Sequence, residues 1–256
     1  MMITEPQYRR PINDHQLAIL NLLYRFRFTT TELLAQCLDV KHKNKMNQRL
    51  KVLLDQEYIG RNFKPSYHLS GRHASFYLLA KGISALKQVP EGKYVPSVLN
   101  NLYKDRTASE RFINHWLEVF SLYCSMKGKY GERLRFFSRT ELARFEYFPK
   151  QRPDGYIRLA SGKKERQYIL EVLDSTQPFF VQINMIKKYI EYAEEGDWEE
   201  ATGSELPIVL LVCGSRAQQR KLQKFADNEI DDFDSDDAAI VITTREDLNN
   251  IIDAEK

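Results

Sequence analysis

The sequence predicts an α+β chain in two unlike parts. A helical front ends in a two-stranded β-wing, and an α/β back is built on a mixed central sheet. Three observations predict this. Through three short segments ahead of Tyr58, apolar residues recur at helical spacing, and the pattern then switches to alternation. After residue 107, helical and strand patterns take turns around PIVLLVC, a run that is apolar throughout. Charge divides at the same place: 17 Lys and Arg against 8 Asp and Glu through Arg106, then 21 against 27. A basic front calls for a polyanionic partner.

A chain of 256 residues suits two domains of about 100–150 residues. The expected division is a front domain over 1–89, a connector over 90–106 and a back domain over 107–256. No stretch approaches the ~18 apolar residues of a membrane span, so no membrane partner is expected. MMITEPQYRRPIND lacks the apolar core of a secretory signal. Cys37, Cys124 and Cys213 are odd in number and far apart, and the five histidines show no metal spacing. The expectation is a cytoplasmic protein with neither disulfides nor a zinc cluster.

In the front, Asp14 precedes HQLAILNLLYRF and is the expected cap of a first helix, with Leu17, Leu20 and Tyr24 on one face. FTTTELLAQCL gives a second, short helix entered through threonines. KHKNKMNQRLKVLLDQEY gives a third, with Met46, Leu50, Leu53 and Leu54 on its inner side. Its outer side carries Lys41, Asn44, Gln48 and Lys51, flanked by Lys43, Lys45 and Arg49. YIGRNF and ASFYLLA alternate on either side of a polar turn and form the wing, which adds Arg61, Lys64, Arg72 and His73. AKGISALK follows as a helix. Three helices and a wing describe a winged helix-turn-helix: cations for phosphates, Asn and Gln amides for base edges. The expected partner is double-stranded DNA, bound without a cofactor, and the expected assembly is a homodimer. The bland alternatives are a solvated polar face or a protein-docking module.

The connector, with two prolines and a glycine, has room for one short helix. The back opens on a long helix, TASERFINHWLEVFSLYCSMKG, with Phe112, Trp116, Val119, Phe120 and Tyr123 inward. Then follow strands at RLRFFSR, RPDGYIRL and RQYILEVLD, a helix at FFVQINMIKKYIEYAEE, the strand PIVLLVC, a helix at SRAQQRKLQKFADNE, an acidic loop DDFDSDD, a strand AAIVITT and a terminal helix. That loop, Asp231 to Asp237, could dock a basic partner, or it is a solvated turn.

Within this order Asp154 opens one strand and Glu171 closes the next, the layout of a restriction-endonuclease-like domain with its PD-(D/E)xK signature. Mg²⁺ takes octahedral oxygen ligands, so such carboxylates must converge at one sheet edge. With Mg²⁺ or Mn²⁺ bound they would activate water for phosphodiester cleavage, helped by a lysine. Leu173, two residues past Glu171, holds the position that the lysine should occupy. Lys187 or Lys188 on the next helix could reach back, and Glu110 or Glu118 could join from the long helix. The candidate catalytic set is therefore Asp154, Glu171 and Lys188, with Asp154 and Glu171 as metal ligands. Asp174 points the other way. The structural alternatives are Asp154 as a turn residue and Glu171 as a partner of Arg152 or Arg158.

The winged helix, RPDGYIRL, YILEVLDST and KKYIEY together resemble the replication-relaxation family, over most of the chain. Glu171, Asp174, Lys188, Tyr189 and Tyr192 stand at positions matching that family's pattern. The resemblance implies a prokaryotic protein of a plasmid or mobile-element system with a role in replication or DNA relaxation. Taken with the winged helix and with Leu173, the expectation is a DNA-binding protein of such a replication or regulation system, with a degenerate nuclease-like domain. A metal-dependent nuclease or nickase is the enzymatic alternative, and a non-catalytic interaction module the third.

Overall fold

In the computed structural model, which describes residues 12–64, 67, 71, 73–89, 93–162, 164–233 and 239–254, Asn13 rather than Asp14 caps the first helix, α1 (Asp14–Phe26). The Asn13 side chain accepts from the Gln16 N–H and the Gln16 side chain accepts from the Asn13 N–H, a reciprocal box that leaves Asp14 in the first turn beside the positive helix end. The Thr30 hydroxyl accepts from Leu33 N–H to start α2 (Thr31–Cys37). In α3 (Lys43–Asp55), Met46, Leu50 and Leu53 are buried in the same apolar cluster as Ile19, Leu20 and Leu23 of α1.

The wing strands β1 (Ile59–Asn62) and β2 (Ser75–Leu78) pair antiparallel with Ile59 opposite Leu78, and Thr29 adds a bridge to Phe76. Helix α4 (Ala80–Lys87) follows. Three helices followed by a two-stranded antiparallel sheet and a further helix keep the element order expected of a winged helix-turn-helix. Arg72 lies outside the described residues.

Past residue 93 the chain forms α5 (Pro96–Asn101), with proline in the first turn, and then a 3₁₀ turn, Leu102–Thr107. Leu99 and Leu102 enter the main core. The buried Asp105 carboxylate accepts from Arg27 Nε at 3.0 Å, and the Arg27 guanidinium lies 4.7 Å from the Phe112 ring centroid.

The back runs α6 (Glu110–Tyr130), β3 (Leu134–Ser138), α7 (Arg139–Leu142), β4 (Gly155–Ser161), β5 (Lys164–Val172), α8 (Phe179–Glu195), α9 (Asp197–Thr202), β6 (Ile208–Cys213), α10 (Arg216–Phe233), β7 (Ile240–Thr244) and α11 (Leu248–Ala254). The sheet order is β3-β4-β5-β6-β7, antiparallel through β5 and parallel from β5 to β7. Apart from the short helices α7 and α9, the order is the α-β-β-β-α-β expected from the sequence, on a mixed sheet as in the restriction-endonuclease-like fold. Strand alternation sorts the core. Tyr168, Leu170, Leu210 and Val212 face one cluster, while Ile169, Leu173, Val209 and Leu211 face a second one with Ile186, Tyr189 and Leu222. The first cluster is continuous from Leu20, Leu23 and Phe26 of the front to Phe120, Tyr123 and Phe136 of the back.

Three further expectations need correction. Phe112 is half-buried, and Ile113 takes the inward place. The short helices α7 and α9 are additions to the expected elements, and α7 begins at Arg139, which the sequence places at the end of a strand. Helix α10 extends through Phe233, so the acidic run begins inside it, and residues 234–237 lie outside the described residues. Among the described residues no helix is long and apolar enough to cross a membrane, and Cys37, Cys124 and Cys213 are buried free thiols.

Gly155 is packed directly on Phe136: a Cβ there would meet the ring at 2.5 Å. Gly155→Ala is expected to cost about 1–3 kcal/mol through overpacking, measured as a drop in urea midpoint.

Candidate functional site

Gly155 stands opposite Leu170 in the β4–β5 register, so one step outward Asp154 stands across from Glu171. The two predicted carboxylates do converge, and both are buried, at 0% and 1% exposure. Burial at that level requires charge partners, and the structure supplies cations. Arg139 Nη2, from α7, lies 2.7 Å from Asp154 Oδ1 and 3.6 Å from Glu171 Oε2. His115 Nε2, from α6, lies 2.8 Å from Asp154 Oδ1. The Val172 N–H donates to Asp154 Oδ2 at 2.9 Å. Lys188 Nζ and the Tyr189 hydroxyl, neighbours on α8, donate to Glu171 Oε1 at 2.9 and 2.8 Å.

Lys188 thus reaches back as expected, while Leu173 is packed in the second core cluster. Lys187 instead lies 5.6 Å from the Phe225 ring. Arg152 donates to the Phe148 and Pro149 carbonyls and Arg158 pairs with Glu165, so neither is the partner of Glu171. Glu110 accepts from Lys64 of the wing and Glu118 from Arg245, so neither helical carboxylate joins the pair.

Burial alone would push the Asp154 carboxyl up. The Arg139 guanidinium, the His115 imidazole and the Val172 N–H outweigh it and hold Asp154 below the usual carboxylate range. Glu171 goes the other way: burial and the neighbouring Asp154 charge raise it beyond what Lys188 and Arg139 return. Burial would lower His115, but the hydrogen bond and charge of Asp154 raise it above an ordinary histidine. Burial and Glu171 raise the Tyr189 hydroxyl well above normal, so it stays a donor. Tyr189→Phe is expected to lower stability by about 1.5 kcal/mol, by loss of a buried bond to a charged acceptor. Chemical denaturation would show this, with duplex affinity unchanged.

A restriction-endonuclease-like fold calls for Mg²⁺ or Mn²⁺ on this pair. The donor set does not fit one. Each carboxylate accepts from a cation, with Arg139 between them, and no group of three His, Cys, Asp or Glu among the described residues is arranged to hold a metal ion. Asp174 is also engaged elsewhere. It accepts from Arg111 at 2.6 Å and from Thr176 N–H at 2.8 Å, on the wall of a cavity of about 830 Å³ at the C-terminal ends of β5, β6 and β7. Tyr192 donates to the Tyr147 carbonyl.

Arg139 and His115 had no role in the sequence pattern. Arg139 follows Ser138, whose backbone and hydroxyl bond Glu141 to form a capping box, so the SRTE string was a readable sign of the turn that carries it.

The second candidate surface is the outer face of α3. Lys41, Asn44, Lys45, Gln48 and Lys51 are exposed and Arg49 half-buried. Lys41, Lys45 and Arg49 border a groove of about 430 Å³ together with His15 and His42. Lys43 is paired with Glu32, and His73 Nδ1 lies 3.4 Å from the same carboxylate. On the wing, Arg61 is exposed with its guanidinium 4.6 Å from the Phe63 ring centroid, and Lys64 is bonded to Glu110 of α6.

The family model for replication-relaxation matches residues 20–206. Two solved structures of the restriction endonuclease FokI, one of them bound to DNA, align at 14% and 12% identity with TM-scores of 0.34 and 0.33. Each alignment covers 91% of this chain and 43% of that one, so the chain spans less than half the length of either. No curated protein matches the sequence.

Proposed function

The chain belongs to the replication-relaxation family, and from that premise we propose that it binds double-stranded DNA through the outer face of α3. It does so as a component of a prokaryotic plasmid or mobile-element replication or regulation system. The observation that carries this reading is the split of α3 itself. Met46, Leu50 and Leu53 are buried, while Lys41, Asn44, Lys45, Gln48 and Lys51 stand on the open side. Among the described residues the cations Lys41, Lys45, Arg49 and Lys51 have no carboxylate partner, so their charge is available to phosphates. A helix about 10–12 Å wide with side chains suits the major groove, where Asn44 and Gln48 can pair with adenine edges. Lys43 and Lys64 give part of their charge to Glu32 and Glu110 and contribute less. Two copies would read two half-sites about one helical turn apart.

The test is fluorescence anisotropy of a labelled duplex across a salt series without divalent metal. Affinity should fall steeply with salt, about 0.9 in log K per log salt for each phosphate neutralised. Absence of duplex binding at low salt would sink the reading.

One observation favours a second reading, a nuclease or nickase that uses Mg²⁺ or Mn²⁺: Lys188 bonds Glu171 directly across from Asp154. Arg139 weighs against it. Supercoiled plasmid incubated with either metal is expected to remain supercoiled. Nicking that disappears in Asp154→Ala would establish the second reading instead.

A further inference from the structure

We propose that Arg139 is a built-in counter-cation that takes the place of a divalent ion between Asp154 and Glu171, and that its removal converts the buried pair, with His115, into a divalent-cation site. The proposal stands on geometry and is independent of DNA binding by α3.

Two carboxylates facing each other across adjacent strands, both withdrawn from water, need positive charge between them. The guanidinium provides it, with Nη2 within reach of both. Its position is fixed by the backbone. Arg139 N–H donates to the Asp154 carbonyl at 3.2 Å and Nε to the Pro153 carbonyl at 3.4 Å. The turn that carries it is anchored to α1 of the front domain. Thr140 Oγ1 donates to the Arg25 carbonyl at 3.2 Å, and Arg25 Nε donates to Glu141 at 2.9 Å. The front half thus helps to hold the arginine in place.

Around the guanidinium stand Asp154 Oδ1, Glu171 Oε2 and the His115 Nε2 that hydrogen-bonds Asp154. As they stand, no three such groups among the described residues are arranged to hold a metal ion, and it is removal of the guanidinium that would let these three close on one. Two carboxylates and one imidazole suit Mn²⁺, which accepts both oxygen and nitrogen donors. Lys188 and Tyr189 occupy only Glu171 Oε1 and leave Oε2 to the guanidinium.

The test compares the intact wild-type chain with Arg139→Gln, using MnCl₂ as the probe. Bound Mn²⁺ is counted from the loss of the free-ion paramagnetic resonance signal, and the melting temperature is followed in parallel. Wild type should bind no Mn²⁺ at this pair and show no Asp154-dependent shift. Arg139→Gln should bind Mn²⁺ and melt higher with it than without, and Arg139→Gln combined with Asp154→Asn should lose both responses. Arg139→Lys, which keeps a cation in place, should fold and bind none. If Arg139→Gln folds only when refolded in millimolar Mn²⁺, that supports the proposal. The proposal is overturned by Asp154-dependent Mn²⁺ binding in wild type, by a folded Arg139→Gln that ignores Mn²⁺, or by an Arg139→Gln that stays unfolded with Mn²⁺ present.

Discussion

Replacing Asp154 by asparagine is expected to destabilise the protein by about 3–5 kcal/mol, the range for breaking a buried ion pair by removing one partner. Asp154 accepts from Arg139, His115 and the Val172 N–H. An asparagine would point its amide hydrogens at one of these donors and leave a buried guanidinium short of negative charge. Glu171→Gln should cost less, because burial and the Asp154 charge already raise Glu171 toward its neutral form. The effect also carries a pH signature. The folded-state pKa of Asp154 lies below its unfolded value of about 3.9, so its contribution is present above that pH and is lost as pH falls through the folded value. The gap between wild type and Asp154→Asn should close in acid. His115 runs the other way, since its folded pKa is raised. Its contribution is complete below about pH 6.5 and fades as pH rises through the folded value. The gap between wild type and His115→Gln should therefore narrow in alkali. Urea titrations across pH that give two flat gaps would contradict this electrostatic account.

The second large effect concerns DNA. Replacing Lys41, Lys45 and Lys51 together by alanine removes three phosphate contacts if each neutralises one. The salt slope should fall by about 2.7, and affinity near 0.1 M salt should drop by roughly 10²–10³-fold. All duplex sequences should be affected alike. Replacing Asn44 or Gln48 should instead relax discrimination among sequences by about 1–3 kcal/mol at one position, leaving the salt slope unchanged. A triple variant whose salt slope equals that of wild type would remove α3 from the interface.

Much of this architecture was legible before any coordinates. The 3.6-residue recurrence through Leu20, Met46 and Leu50 marked the front helices, and the unbroken run in β6 marked a strand covered on both faces. The convergence of Asp154, Glu171 and Lys188 was legible because each lies in or beside a strongly patterned element, and Leu173 was the reason to look to Lys187 or Lys188 on α8. Arg139 and His115 were not. Arg139 sits in a four-residue helix too short to leave a periodic trace. His115 lies in the second turn of a helix whose apolar pattern is set by Ile113, Trp116 and Val119. Both acquire meaning only when the end of β3 and the face of α6 meet the start of β4, a long-range juxtaposition that local spacing does not encode. The cap of α1 failed for a local reason: Asn13 and Asp14 are both good capping residues, and Gln16, three residues after Asn13, decides between them.

Hydrogen–deuterium exchange of the intact chain, with and without a saturating duplex, tests most directly where DNA sits. Protection is predicted over Lys43–Asp55, with exchange in Lys164–Val172 unchanged. Protection confined to the sheet strands and the cavity beside Asp174, with α3 exchanging as in the absence of DNA, would contradict it.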